Sequence, residues 1–254
     1  MMLPPSFLRA PIAHRALHDI EAGRAENSPS AIAAAVDAGY GIEIDVQLSR
    51  DGRAMVFHDY DLGRLTGQPG AIQQRDAADL MTLPLLGTAD TMPSLRQVLD
   101  MVAGQVPLLV EIKDQDGGLG PAVGRLEQAV ADDLRGYAGD LAVMSFNPNS
   151  VRVFGGMAPD VPRGLTTCGF DDADWGLVPK ARLRRLAGIP DMAASGACFI
   201  SHHWADLTRP RVTELKARGV PVLSWTIRSA QDEAQARLVA DNVTFEGYVP
   251  DIPA

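Results

Sequence analysis

The chain has 254 residues, 46% hydrophobic and 22% charged, the proportions of an ordinary globular protein and a length that one α/β barrel of about 200–250 residues would use up. Its 32 acidic residues outnumber 23 basic ones for a net charge of −9, which disfavours nucleic acid as a partner because that affinity rests on Lys and Arg neutralising phosphates. A small anionic substrate stays compatible, since a local cluster or a metal inverts the field inside a cleft.

Two cysteines, Cys168 and Cys198, are too few and too far apart for a disulfide framework or a zinc site, and are expected to be buried free thiols in a reducing compartment. The opening MMLPPSFLRAP shows no signal-peptide pattern, and no run approaches the roughly 18 apolar residues of a membrane span. A cytoplasmic location is expected, with no integral membrane segment.

In chain order, the strand candidates are Ala10–His14, Gly41–Leu48, Pro107–Lys113, Leu141–Phe146, Arg163–Thr167, Ala197–His202, Val220–Ile227 and Glu246–Val249. Helical patterns fall at Ser28–Ala38, Ser94–Val102, Leu119–Leu134, Asp174–Leu186, Arg209–Arg218 and Ser229–Val239. Ser28, Ser94 and Thr208 stand where helices begin, and Gly39 and Gly219 where helices stop. Such alternation predicts a parallel sheet with crossover connections.

A further strand, Ala54–His58, follows Gly41–Leu48 across SRDGR, too short a connection for a parallel crossover. The pair therefore reads as an antiparallel hairpin turning at Asp51-Gly52. Eight parallel candidates remain, which predicts a single (β/α)8 TIM barrel over residues 1–254. A doubly wound open sheet is the rival architecture. Residues from about 49 to 92 form the hairpin and an irregular excursion over the active-site face.

Charged residues embedded in apolar strands point to chemistry, because barrels of this type work at the C-terminal strand ends. His14-Arg15 ends the first strand, IEIDV carries Glu43 and Asp45, and LLVEIKD carries Glu111 and Lys113. Residues two apart on a strand share a face, so three carboxylates converge; the alternative is that they sit solvated on outward or rim positions. Converging carboxylates call for a hard divalent cation, Mg2+ or Ca2+. With Ser49–Gly52 as the hairpin loop, Leu48 pairs with Arg53 and Glu43 falls opposite His58. Of the other histidines, His18 reads as a surface residue and His202-His203 as rim residues. Two histidines, Arg15, Lys113 and a metal make a device for phosphodiester cleavage, with charge neutralisation at the phosphate and proton transfer at both oxygens. No P-loop, dinucleotide fingerprint or G-x-S-x-G supports kinase, dehydrogenase or serine-hydrolase readings.

The sequence resembles the glycerophosphodiester phosphodiesterase family. The segments that carry the likeness are IAHRA, ENSPSAIAAAVDAG, GIEIDVQLSRDG, MVFHDYDLGRLTG, MPSLRQVL, LLVEIK, SFNPNSVRVF, VPVLSWTIRS and YVPDIP, in family order over most of the chain. The resemblance implies a TIM barrel with one divalent cation at its mouth. It implies metal-dependent hydrolysis of glycerophosphodiesters to glycerol 3-phosphate and an alcohol. His14 and His58 would be the acid–base pair, Arg15 and Lys113 would meet the phosphate, and Glu43, Asp45 and Glu111 would hold the metal. Glu26-Asn27 would stand behind that site, Trp225 on the glycerol side of the pocket, and Phe146 along its lining.

Two positions depart from the family pattern. Ala16 stands where His-Arg-Gly is usual, and Pro250-Asp251 stands where the last strand usually ends in Thr-Asp. Rival functions are a related phosphodiesterase acting on lysophospholipids or on sugar- or inositol-linked diesters, and a non-catalytic phosphoester-binding barrel. A lipid substrate would favour an apolar rim built from Leu80, Met81, Leu83, Leu85 and Leu86.

Overall fold

The computed structural model describes residues 1–171, 175–176 and 178–253. Eight parallel strands close into a barrel: β1 (Ile12–Ala13), β2 (Gly41–Leu48), β4 (Leu108–Ile112), β5 (Leu141–Ser145), β6 (Arg163–Thr167), β7 (Phe199–His203), β8 (Val222–Ile227) and β9 (Asn242–Phe245). Closure falls on β1, where Ile12 pairs with Gly41 on one side and with Thr244 on the other. The ninth strand, β3 (Ala54–Val56), lies outside the ring and pairs antiparallel with β2.

Its register differs from the expected one by a single residue. Leu48 faces Ala54 and Val46 faces Val56, because the turn is one residue longer than expected. The Ser49 side chain closes that turn: Oγ accepts from Arg53 N at 2.8 Å and donates to Asp51 at 2.6 Å. His58 is therefore not opposite Glu43 on a strand; it lies beyond the end of β3, in the bend that follows.

The helices arise from local signals. Ser28 accepts from Ala31 N at the start of Pro29–Ala38, and Gly39 ends that helix at φ 77°. Ser94 and Gln97 form a capping box on Leu95–Val102. Arg125–Leu134 starts six residues later than the pattern suggested, since Leu119 (φ 51°) and Gly124 (φ 129°) break the run. Among the described residues, four α-helices lie outside the expected patterns: the short Gly63–Thr66, Ala77–Leu80 and Met192–Ser195, and the longer Pro148–Met157, which opens on the Asn147 cap and whose Gly155-Gly156 weakens the periodic signal. Of the expected Asp174–Leu186 helix, residues 174 and 177 lie outside the described residues. The described residues 175, 176, 178 and 179 are not helical, and the helix runs Lys180–Ala187 from the Pro179 cap, since proline's restricted φ and missing N–H suit a helix boundary. The last strand also lies upstream of its expected position, at Asn242–Phe245, because Gly247 at φ 75° turns the chain and leaves Val249 exposed.

Alternation along the strands divides the barrel. One set of residues, Ile42, Ile44, Val110, Val143 and Ile200 among them, packs outward against the helices. Inside, the floor is apolar: Ile12, Leu109, Ala142, Phe199 and Leu223 cluster with Leu3 and Phe7 of the N-terminal segment. Asn242 holds that segment by donating to the Phe7 and Ala10 carbonyls at 2.8 and 2.7 Å. A separate small core of Met55, Phe57, Leu62, Ile72, Leu80 and Leu85 anchors the excursion. Leu80 and Leu85 are thus interior, and Met81 and Leu83 pack against the same cluster. Of the five residues proposed as an apolar rim only Leu86, 51% exposed, faces outward. No helix among the described residues is long and apolar enough to cross a membrane.

Gly164 on β6 makes room for the floor. A Cβ there would overlap three ring atoms of Phe199. Gly164→Ala is expected to destabilise the fold by about 1–3 kcal/mol through overpacking, measured by urea unfolding; an unchanged midpoint would show that the Phe199 ring has room to shift.

Candidate active site

Above the floor, the inward positions change from apolar to charged. Glu43 and Asp45 project from β2 and Glu111 from β4, with Asp45 directly beside Glu111 in the register. All three carboxylates are buried, and each offers an oxygen within 4.8 Å of the others. They line a cavity of about 190 Å³ together with His14, Arg15, His58, Lys113, Phe146, Thr166, His203, Trp225, Arg228 and Thr244. The nine residues singled out from the sequence therefore meet in one place, and the alternative of solvated rim carboxylates does not hold.

Like charges this close must be compensated. Lys113 Nζ donates to Glu111 at 2.9 Å and lies 3.4 Å from Asp45; Arg15 Nε lies 3.4 Å from the other Asp45 oxygen. Burial works against the Asp45 charge, but Lys113, His58 and Arg15 outweigh it and hold its carboxyl well below the usual range. Glu43 is less well served. Its carboxylate accepts from the Arg15 backbone N–H at 2.9 Å, and burial with Asp45 and Glu111 nearby pushes it well up. Three buried oxygen ligands, one of them short of positive charge, fit a hard divalent cation.

The turn after β1 is held by the same residue. Arg15 and Ala16 both take left-handed conformations, φ 51° and 66°, while Glu43 accepts from the two backbone N–H groups, through its side chain and its carbonyl. Ala16 thus occupies a backbone position suited to glycine, at a cost of about 1 kcal/mol. Asn27, also left-handed at φ 58° and buried, donates from Nδ2 to Asp45 at 3.0 Å and accepts from the Asp45 N–H at 3.2 Å. Glu26 accepts from Arg15 at 2.9 Å.

Each of the two histidines rests on a carboxylate. His14 Nδ1 lies 2.6 Å from Glu246, and His58 Nδ1 lies 2.7 Å from Asp59. Both carboxyls are held well below their usual range against the opposing effect of burial, by His14 and Arg228 in one case and by His58 and Arg64 in the other. An ionised carboxylate only accepts, so Nδ1 carries the proton in both rings and leaves Nε2 for the cavity. Burial, with Arg15 adding to it, lowers the His14 pKa despite the pull of Glu246.

Sequence reading missed Glu246. The carboxylate that β9 presents at the mouth is Glu246, directly after the strand, whereas Asp251 is exposed. Its signal was there, an acid following the alternating Val243-Thr244-Phe245, but it was masked by the misplaced strand. His18 is half-buried rather than on the surface, with Nε2 3.5 Å from Glu246. His203 lines the cavity, its ring 5.1 Å from Trp225, while His202 is fully buried. Beyond Trp225 and Phe146 opens an annex of about 810 Å³, walled by Leu119, Phe170 and Trp175 and edged by Asp61, Asp114 and Asp206.

A closed parallel barrel thus carries at its mouth three buried carboxylates and two carboxylate-backed histidines, a cluster of the kind that barrel enzymes hold at the C-terminal ends of their strands. The family model described as "Glycerophosphoryl diester phosphodiesterase family" matches residues 14–244. The chain belongs to that family. It is 26% identical to a glycerophosphodiester phosphodiesterase of Caldanaerobacter subterraneus subsp. tengcongensis, over 90% of this chain and 89% of the relative. Among solved structures it is similar to an Oleispira antarctica phosphodiesterase in complex with the product sn-glycerol-3-phosphate. That match has 25% identity and a TM-score of 0.72, and covers 95% of this chain and 94% of the other. A Thermotoga maritima glycerophosphodiester phosphodiesterase shares the fold at 20% identity and a TM-score of 0.69, with 93% and 94% covered.

Replacing Glu246 by Gln keeps its shape and removes its charge. The His14 titration, followed by NMR, is expected to move to lower pH in Glu246→Gln, because burial and Arg15 then act without the opposing carboxylate. An unmoved midpoint would remove Glu246 from the account of His14.

Proposed function

We propose that the protein hydrolyses glycerophosphodiesters to glycerol 3-phosphate and a free alcohol, with one divalent cation, Mg2+ or Ca2+, as cofactor and His14 and His58 as the acid–base pair. In this reading residues 1–254 act as one domain on a small-molecule phosphodiester. What supports it is a single cavity lined by both histidines, Arg15, Lys113 and the three carboxylates, in a chain of this family.

Glu43, Asp45 and Glu111 would hold the cation, which when bound supplies charge neutralisation at the phosphate. Arg15 and Lys113 add fixed positive charge toward the non-bridging oxygens as negative charge grows on them. One histidine, neutral and unprotonated at Nε2, takes the proton of the attacking oxygen there, while the other starts as the imidazolium and delivers its Nε2 proton to the departing alcohol. The burial that lowers the His14 pKa suits it to the accepting role. Glu246 and Asp59 keep the two rings in the correct tautomer and stabilise each imidazolium as it forms.

Release of glycerol 3-phosphate from glycerophosphocholine, with Mg2+ or Ca2+ and with chelator, tests the reading. Turnover is expected to collapse in chelator and to return with the cation; equal rates in both conditions would sink the metal requirement. His14→Ala and His58→Ala are each expected to lower kcat by about 10²–10⁴-fold, and near-wild-type turnover in either would overturn that assignment.

A second reading, a bulkier leaving alcohol, is favoured by the annex of about 810 Å³ beside the cavity. A panel of glycerophosphoethanolamine, lysophospholipid and inositol- or sugar-linked diesters separates the two by kcat/KM.

A further inference from the structure

His58 and Arg15 stand on different parts of the chain, beyond β3 and β1, yet the carboxylates that hold them meet on one guanidinium. Arg64 donates to Asp59 from Nε at 2.6 Å and from Nη2 at 3.0 Å. On its other side it donates to Glu26 from Nη1 at 2.8 Å and from Nη2 at 2.7 Å. Asp59 is the partner of His58 Nδ1, and Glu26 is the partner of Arg15 Nη1. The result is a continuous chain: His58, Asp59, Arg64, Glu26, Arg15.

A planar guanidinium suits this work. Its five donors lie in one rigid fork, so two carboxylates held by it are fixed in distance and in plane. Without it, Glu26 and Asp59 face each other as like charges, and the groups they hold are pushed apart. Arg64 does not line the cavity of the carboxylate cluster but borders the annex beside His58 and Asp59, and its side chain is 48% exposed. Ion pairs at that exposure add little to global stability, so its effect belongs to geometry.

The excursion exists in a form that can deliver this group. Arg64 sits on the short helix Gly63–Thr66, where Leu62 is buried in the small second core and Thr66 Oγ1 donates to the Leu62 carbonyl at 2.7 Å. The Leu65 carbonyl accepts from Leu86 N at 2.8 Å. The segment that looks irregular in sequence is thus packed, and its packing sets the position of Arg64.

We propose that Arg64 is a positioning residue that locks His58 and Arg15 into one register by bridging the carboxylates that hold them, Asp59 and Glu26. The proposal rests on the reading of His58 and Arg15 given above. It is tested with Arg64→Ala, Arg64→Lys, Glu26→Gln, Asp59→Asn and the Glu26→Gln/Asp59→Asn pair with and without Arg64→Ala. For each variant kcat and KM are measured on glycerophosphocholine with Mg2+ or Ca2+, Kd for glycerol 3-phosphate by calorimetry, and Tm.

Asp59→Asn is expected to lower kcat and Glu26→Gln to raise KM, while Arg64→Ala does both by about tenfold or more with Tm nearly unchanged. Arg64→Lys, which cannot span both carboxylates as a fork, recovers only part of the loss. In the Glu26→Gln/Asp59→Asn background, Arg64→Ala is expected to add less than about twofold, since groups acting in one chain are not additive.

Arg64→Ala with kcat and KM within twofold of wild type would overturn the proposal, as would an equal loss in the doubly substituted background. Should Arg64→Ala fail to fold, wild-type kinetics in Arg64→Lys overturn it instead. If wild-type protein binds glycerol 3-phosphate but does not cleave the diester, the functional reading fails, and the binding titration alone decides Arg64: undiminished affinity in Arg64→Ala rejects it. Wild-type protein that does neither rejects both.

Discussion

Three carboxylates buried within reach of one another set the terms for the rest of the site. Taken alone, Glu43, Asp45 and Glu111 would repel each other in a medium where charge is costly. Everything near them answers that repulsion. Lys113 leans back onto Glu111 and Asp45, Arg15 turns inward beside Asp45, and Asn27 donates to the same residue. The strained left-handed turn at Arg15-Ala16 is held because it brings backbone N–H groups to Glu43. What these groups leave uncompensated, chiefly at Glu43, is a cluster of oxygens whose chemistry fits a divalent cation.

A second ring of ion pairs stands behind the first. Arg228 backs Glu246 behind His14, and Arg64 backs Asp59 behind His58. The two histidines come from unrelated places, the first strand and the bend after β3, yet each has the same support: imidazole, carboxylate, guanidinium. Such a triad fixes the tautomer and steadies the ring at once. Similar supports reached by different routes reflect a shared physical need, an imidazole held through Nδ1 with its Nε2 left to the mouth.

Much of this was legible in the sequence, for reasons that can be named. Acids at alternate positions within apolar strands, Glu43 and Asp45 or Glu111 with Lys113, have few ways to be buried other than together. Seven of the barrel strands showed as apolar runs at their proper places. What stayed hidden depended on single backbone choices. Gly247 decides where β9 ends and so which acid reaches the mouth. The Ser49 side chain adds a residue to a turn and shifts a register. Gly155-Gly156 blurs a helix that tertiary packing nevertheless forms. Arg64 was not recognisable as part of the site, because its importance lies in bridging Glu26 and Asp59, residues 38 and 5 positions away in the chain.

The alternation between apolar floor, charged mouth and apolar outer shell has a consequence for how the chain finds its fold. A strand that slips by one residue turns every side chain to the opposite face. For β2 or β4 that error would drive Glu43 and Asp45, or Glu111, into the shell occupied by Ile42, Ile44 and Val110, among helices with no cation to meet them. The costliest residues of the native state therefore make the misaligned states costlier still. The same three acids thus favour the native alignment of β2 and β4 over a one-residue slip.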